Sequence, residues 1–223
     1  MPQPLSRVRP GGCSYHLNNV GDYPLREREQ LARAAMEGIA SFATVESWML
    51  ELYLELAGGN KSIAASMFLT LESRSARSSV LQPLIAALEP RYQDLYRAIA
   101  KLLRTRALDR DKLAHWVWGV SNDLPDALLL ADPKALALIN YAERAETSRL
   151  PDHIFVYRAS DFVSIIERNN ELAGFGQRFR FIVRGHPANR EDRLYHELCA
   201  EPALADILRR QDERDQPPPK EAG

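Results

Sequence analysis

The chain has 223 residues, 45% of them hydrophobic and 26% charged, which is an ordinary composition for a globular protein. Its formal net charge of −1 excludes a strong overall basic field for nucleic acid, so any such binding needs a local patch. No apolar run is long enough to span a bilayer, and Cys13 and Cys199 lack the spacing of metal ligands.

The two ends of the chain predict little regular structure. Residues 1–24 are rich in proline and glycine, which indicates an irregular N-terminal arm. The letters MPQPLSRVRPGG lack the apolar core of a signal peptide, so we expect a cytoplasmic protein. The polar letters QDERDQPPPKEAG predict a disordered tail over residues 211–223.

Three helical patterns fill residues 25–118. The first, over residues 25–57, has an apolar seam in which side chains recur at steps of four and three. The seam consists of Leu31, Ala35, Gly38, Phe42, Val45, Met49, Leu52 and Leu56. Asn60 is a predicted N-cap for the second pattern, which ends at Pro90. Within it, the polar residues 72–79 are either a break or a thin helical bridge. The third pattern covers residues 91 to about 118.

The third pattern carries a basic strip. Residues 91–119 contain seven Lys or Arg against three Asp, a local excess of positive charge. Steps of four and three place Arg97, Lys101 and Arg104 on one helical face, and we call these three residues the basic strip. Such a strip is commonly a solubilising face, but its position before His115 also suggests contact with a polyanion.

After Gly119 the pattern changes. Residues 127–131 and 154–157 are short apolar runs that predict strands able to pair as a small hairpin, with a helix from about Pro133 between them. A helix beginning near Ser160 follows, with Gly174 and Gly176 as points where it kinks or ends. Residues 185–210 form a predicted C-terminal helical extension, interrupted at Pro202.

The densest chemistry lies in the letters RDKLAHWVWG of residues 110–119. Asp111 and His115 are four residues apart, so on a helix they share a face and the carboxylate can orient the imidazole. Arg110 points about 140° away on an ideal helix. It joins the site only if the helix is irregular or a second subunit completes the site. Asp109 or Asp111 is alternatively an N-cap.

The run Arg110-Asp111-Lys112-Leu113-Ala114-His115 resembles the signature of HEPN domains (higher eukaryotes and prokaryotes nucleotide-binding), in which an Arg and a polar residue precede a His. Asp111 stands where Asn is commonest, and Trp116 where a small residue is frequent. The resemblance covers residues 25–184. It implies an all-α, antiparallel HEPN-like helical bundle with a short β-leaning insertion before the last core helix and a small C-terminal helix.

Members of this family usually dimerise, and many are metal-independent endoribonucleases of toxin, defence or RNA-processing systems. The resemblance therefore implies a homodimer that binds RNA or a nucleotide, has an antitoxin protein as a possible partner and needs no cofactor or metal. In this reading His115 is the acid and base, Arg110 stabilises the phosphorane, and Asp111 orients His115 or lines the cleft. The basic strip supplies the RNA contacts.

Two alternatives stay open. The first is a catalytically inactive HEPN-like module that binds a nucleotide, RNA or protein partner through the same cleft. The second is structural, with Arg110 and Asp111 capping a helix, His115 semi-buried and satisfied, and the two tryptophans, Trp116 and Trp118, in the core.

Overall fold

The computed structural model describes residues 1–17, 23–140 and 149–215, which are mostly helical with one small antiparallel sheet. The helices are α1 (Leu5–Val8), α2 (Tyr23–Glu27), α3 (Glu29–Ala57), α4 (Lys61–Leu69), α5 (Arg74–Ala86), α6 (Pro90–His115), α7 (Pro133–Asn140), α8 (Ala159–Val183), α9 (Arg193–Ala200) and α10 (Pro202–Asp215). The strands are β1 (Gln3–Pro4), β2 (His16–Leu17), β3 (Val117–Val120), β4 (Ala127–Ala131) and β5 (Ile154–Arg158). Short 3-10 helices cover Leu150–His153 and Pro187–Asp192.

The chain divides into two compact units. The first comprises Met1–Ala43 and Thr105–Asn170, and it contains the whole sheet. The second comprises Thr44–Arg104 and Glu171–Gly223 and is helical in its described residues.

The apolar seam predicted for the first long helix is confirmed by burial along α3. Six of its eight members are buried and the two outermost are partly buried. Gly38 allows the close helix approach that the sequence suggests, since a Cβ there would lie 3.2 Å from Leu113 Cδ1 and 3.5 Å from Ile165 Cγ2. In the same unit, the buried Asn169 amide donates to the Gly38 carbonyl and to Ser41 Oγ.

The second unit contains the predicted Asn60 cap. The Asn60 side chain accepts hydrogen bonds from the backbone N–H groups of Ser62 and Ile63, which begin α4. Ser73 caps α5 in the same manner. Residues 72–79 therefore do not form a simple break, because α5 already begins at Arg74.

Three of the five strands come from the insertion after α6. The sheet order is β1-β5-β4-β3-β2, and all neighbours are antiparallel. The predicted pairing of the two apolar runs is confirmed, with Ala127 opposite Arg158 and Ala131 opposite Ile154. Strand β4 is buried throughout because its alternating side chains enter two different apolar clusters, one on each face of the sheet.

We call these the inner and outer clusters. The inner cluster joins one sheet face to the helices of the first unit and comprises Ala35, Leu113, Val120, Leu128, Leu130, Tyr157, Phe162 and Ile165. The outer cluster covers the other face and comprises Leu5, Val117, Leu124, Ala127, Leu129, Ala131, Ile154 and Val156.

The N-terminal arm is not wholly irregular, contrary to the sequence prediction. Gln3 and Pro4 pair with β5, and His16 and Leu17 pair with β3. Leu5 is buried in the outer cluster. Proline tolerates the edge position of β1 because an edge strand need not use every N–H group. Residues 18–22 of the predicted arm lie outside the described residues.

The third helical pattern was predicted three residues too long. Helix α6 ends at His115, and Val117–Val120 is strand β3. This segment is rich in β-branched and aromatic residues, which favour extended structure. Gly119 is required for the pairing of β3 with β2, because a Cβ there would lie 2.6 Å from the backbone oxygen of His16.

The remaining helices agree with the sequence more closely. Helix α8 continues through Gly174 and Gly176 to Val183. The alternative in which the helix ends at these glycines is therefore wrong. Pro202 interrupts the C-terminal extension as predicted, and it begins α10. Helix α10 continues to Asp215, and residues 216–223 of the predicted tail lie outside the described residues.

Candidate functional site

The structure places the three predicted catalytic residues in the last turns of α6, within the first unit. His115 is exposed, and the side chains of Arg110 and Asp111 are 30% and 39% exposed. All three are therefore accessible to solvent. The structural alternative predicted a semi-buried His115, and that prediction is wrong.

Arg110 reaches His115 within one chain. Its Nη1 atom lies 3.4 Å from His115 Nε2 and 3.2 Å from Asp111 Oδ1. From the direction in which each side chain leaves an ideal helix, this contact was expected only with an irregular helix or a second subunit, and that expectation is wrong. The arginine side chain is long enough to bridge that angle at the end of the helix.

The contact restricts the chemistry of the imidazole. A guanidinium only donates hydrogen bonds, so this contact is a hydrogen bond only when Nε2 of His115 carries no proton. At 3.4 Å this hydrogen bond is long, and the surrounding water screens it. The pair therefore combines a permanent cation with a proton-accepting nitrogen at the protein surface.

Asp111 has a different position from the one that a cap requires. It lies inside α6, so the alternative in which Asp109 or Asp111 caps a helix start is wrong. Its carboxylate forms an ion pair with the Arg110 guanidinium. This contact limits where the guanidinium can point, because it holds one nitrogen between two acceptors.

Two aromatic residues follow His115 closely in the chain, Trp116 directly and Trp118 two positions later. Trp116 and Trp118 are partly buried and pack against the inner cluster together with Phe155 of β5. The Trp116 and Phe155 ring centroids are 5.6 Å apart. The Lys112 ammonium lies 5.1 Å from the Trp116 ring centroid and 5.3 Å from that of Phe155.

Phe155 and Lys112 were not among the site residues predicted from the sequence. Phe155 is forty positions from His115, and only the pairing of β5 with β4 brings it to this face of the sheet. Lys112 could have been found from the sequence, because it lies four residues before Trp116 and such pairs share a helical face. Nearby, burial raises the pKa of Tyr157 above its ordinary value, with smaller effects from the charges of Asp109 and Asp161.

The basic strip lies in the second unit. Arg97, Lys101 and Arg104 are all exposed on α6. Arg97 forms an ion pair with Asp94, one turn earlier on the helix. The strip therefore presents three cationic side chains to solvent.

Comparisons with known proteins found no match to this chain among family models, curated proteins or solved structures. In the part of the chain that the structure describes, no group of three or more His, Cys, Asp or Glu side chains is arranged to hold a metal ion. None of the helices within the described ranges is both long enough and apolar enough to cross a membrane.

Proposed function

We propose that this protein is a metal-independent RNA endonuclease of HEPN type that acts as a homodimer in the cytoplasm. The observation that carries the proposal is the contact between Arg110 and His115 on an exposed surface. These are the two residue types that cleavage by an RNA 2′-hydroxyl requires, a base near neutral pH and a fixed cation. A role in a toxin, defence or RNA-processing system is consistent with this chemistry.

The proposed reaction uses the neutral imidazole first. Nε2 of His115 takes the proton from the 2′-hydroxyl as the O2′–P bond forms. Arg110 leaves His115 and donates to a non-bridging phosphate oxygen, where it stabilises the charge of the phosphorane. The P–O5′ bond then breaks, which gives a 2′,3′-cyclic phosphate and a 5′-hydroxyl end.

A second acid is needed to protonate the leaving 5′ oxygen, and a homodimer supplies one. In the proposed dimer, His115 of the partner subunit donates this proton while the first His115 accepts. Asp111 holds Arg110 in position between the two steps. An antitoxin protein that covers this surface would inhibit both histidines at once.

The test is cleavage of a mixed RNA pool by purified protein in EDTA. We expect the wild type to cleave and to leave cyclic-phosphate ends, and His115→Ala to lose cleavage. The matched control is His153→Ala, which removes an exposed histidine of the same unit. Each variant is compared with wild type for its melting temperature and for its mass by sedimentation. Equal cleavage by wild type and His115→Ala would reject the proposed site, because a contaminant would then explain it.

The second candidate function is a catalytically inactive module that binds a nucleotide, RNA or protein partner at the same surface. It is favoured by Trp116, which follows His115 directly and carries a bulky ring where the family often has a small residue. This candidate predicts no cleavage by the wild type together with binding of a partner that Arg110→Ala weakens. Expression of the wild type would then be no more toxic to cells than expression of His115→Ala.

A further inference from the structure

Two aromatic rings, one of them on the residue that directly follows His115, pack against the inner cluster and stay partly exposed. Trp116 and Phe155 are packed against the inner cluster, yet both are only partly buried. The ammonium of Lys112 lies within 5.3 Å of both ring centroids. Because Trp116 and Phe155 are each partly exposed, neither ring is fully covered by the cluster and by Lys112.

The backbone on each side of the rings holds them in place. The backbone N–H of Trp116 donates to the Lys112 carbonyl at the end of α6, and the chain continues directly into β3. Phe155 lies opposite Leu130 within the β4–β5 ladder. Neither ring therefore depends on a flexible loop for its position, and together they form a rigid surface, which we call the aromatic shelf.

We propose that the aromatic shelf of Trp116 and Phe155 binds one unpaired RNA base beside the phosphate that Arg110 contacts. Lys112 then leaves the rings and contacts a neighbouring phosphate. This inference rests on the proposed function, since it assigns the substrate class of the same site. The substrate is single-stranded RNA or a loop, because base pairing and stacking in a duplex hide the faces of the bases.

Charge complementarity favours a nucleotide over an apolar occupant. The shelf is flanked by Lys112 on the rings themselves and by the Arg110–His115 pair at the adjacent end of α6. An aromatic surface bordered by mobile cations is the arrangement that binds single strands, in which rings stack on bases and cations contact the backbone.

The experiment measures binding without cleavage. It uses the His115→Ala protein and two probes of equal length and charge, a short oligouridylate and the corresponding abasic oligoribose phosphate. We expect the oligouridylate to bind roughly ten-fold more tightly, because stacking on an aromatic side chain contributes a factor of about this size. Fluorescence anisotropy of a label on each probe follows the binding, so the same readout serves the tryptophan variants.

Variants of Trp116 connect this preference to the shelf. Trp116→Leu keeps apolar bulk but leaves Phe155 as the only ring of the shelf, and it should reduce the preference for the oligouridylate. Trp116→Phe keeps an aromatic face and should retain the preference. Lys112→Gln should lower the affinity for both probes by a similar factor and leave the preference for the oligouridylate unchanged. Circular dichroism and thermal melting establish that each variant is folded.

The outcomes separate the two proposals. Equal binding of both probes, or a preference that is unchanged in Trp116→Leu, would overturn the shelf while leaving the nuclease intact if the wild type cleaves. A base preference that Trp116→Leu reduces would support the shelf even if the wild type does not cleave, and the failure would then be that of the nuclease. Weakened dimerisation of Trp116→Leu with no change in base preference would assign the rings to a subunit interface and overturn the shelf.

Discussion

The Nη1 atom of Arg110 lies 3.4 Å from Nε2 of His115, although the two residues leave α6 in different directions. In this state the guanidinium occupies the nitrogen that the proposed reaction needs. A phosphate group attracts a guanidinium more strongly than a neutral imidazole does, because the bond to phosphate is charge-assisted at both ends. Binding of substrate would therefore free Nε2 at the moment when a base is required.

The first prediction concerns the shape of the Arg110 side chain. Arg110→Lys keeps the positive charge but loses the planar fork of donors, so we expect RNA cleavage to fall by roughly 10²- to 10³-fold. The measurement is the single-turnover cleavage rate at saturating enzyme. Arg33→Lys is the matched control, since Arg33 is an exposed arginine of the same unit paired with Glu37. Equal rates for wild type and Arg110→Lys would show that only the charge matters.

The second prediction concerns the basic strip. Replacing Arg97, Lys101 and Arg104 by glutamine should lower RNA affinity and reduce the slope of log K against log salt by about 0.7 for each phosphate that the protein no longer neutralises. The measurement is a salt titration of oligouridylate binding by the His115→Ala protein. Arg193→Gln, which removes an exposed arginine of the same unit, serves as control. A slope that stays constant in the triple variant would reject the strip as an RNA-binding surface.

The third prediction compares two glycines of α8. A Cβ at Gly174 meets no atom within 4 Å, so Gly174→Ala should raise the free energy of unfolding by roughly 0.5–1 kcal/mol through helix propensity. A Cβ at Gly176 would overlap the indole of Trp48 within the second unit, so Gly176→Ala should lower it by roughly 1–3 kcal/mol. Urea denaturation of the two variants measures both effects, and changes of the same sign would contradict the packing described.

The fourth prediction concerns alkaline pH. Burial raises the pKa of Tyr96 to about 12 from its ordinary value of 10.0, and the charge of Arg104 partly opposes this. The native state thus favours the protonated phenol. The contribution of Tyr96 to the free energy of unfolding has its full value below pH 10. It is lost as pH rises from 10 towards 12, by roughly 2–3 kcal/mol in total.

Tyr96→Phe tests this effect, since it removes the titrating hydroxyl and keeps the ring. Its free energy of unfolding should fall less steeply than that of wild type between pH 10 and 12. Tyr23→Phe is the control, because Tyr23 is 46% exposed. The same alkaline slope in wild type and Tyr96→Phe would mean that other groups dominate, among them Tyr157 and Tyr195, whose pKa values burial also raises.

The parts of the fold that the sequence predicted correctly depend on local repetition. The seam of α3 repeats over seven turns, and only a helix places all of its members on one side. The apolar runs of β4 and β5 are too short for helices and are bounded by turn residues, so their extended form was predictable. In each case neighbouring residues determine the structure.

The parts that were missed depend on distant partners. Strands β1 and β2 have two residues each and show no periodicity, and their pairing with β5 and β3 spans more than 100 positions. The contact between Arg110 and His115 was missed for a different reason. The direction in which a side chain leaves a helix does not include the length of the arginine side chain. Likewise, Phe155 could not be assigned to the site until the register of the sheet was known.

The order of the strands has a consequence for synthesis of the chain on the ribosome. Both edges of the sheet come from the first 17 residues, whereas its three central strands end at Arg158. The edge strands are therefore synthesised before the central strands. More than a hundred further residues must be added to the chain before their partner strands emerge. Loss of the first 17 residues would expose both edges of the finished sheet at once, and unpaired edges favour aggregation.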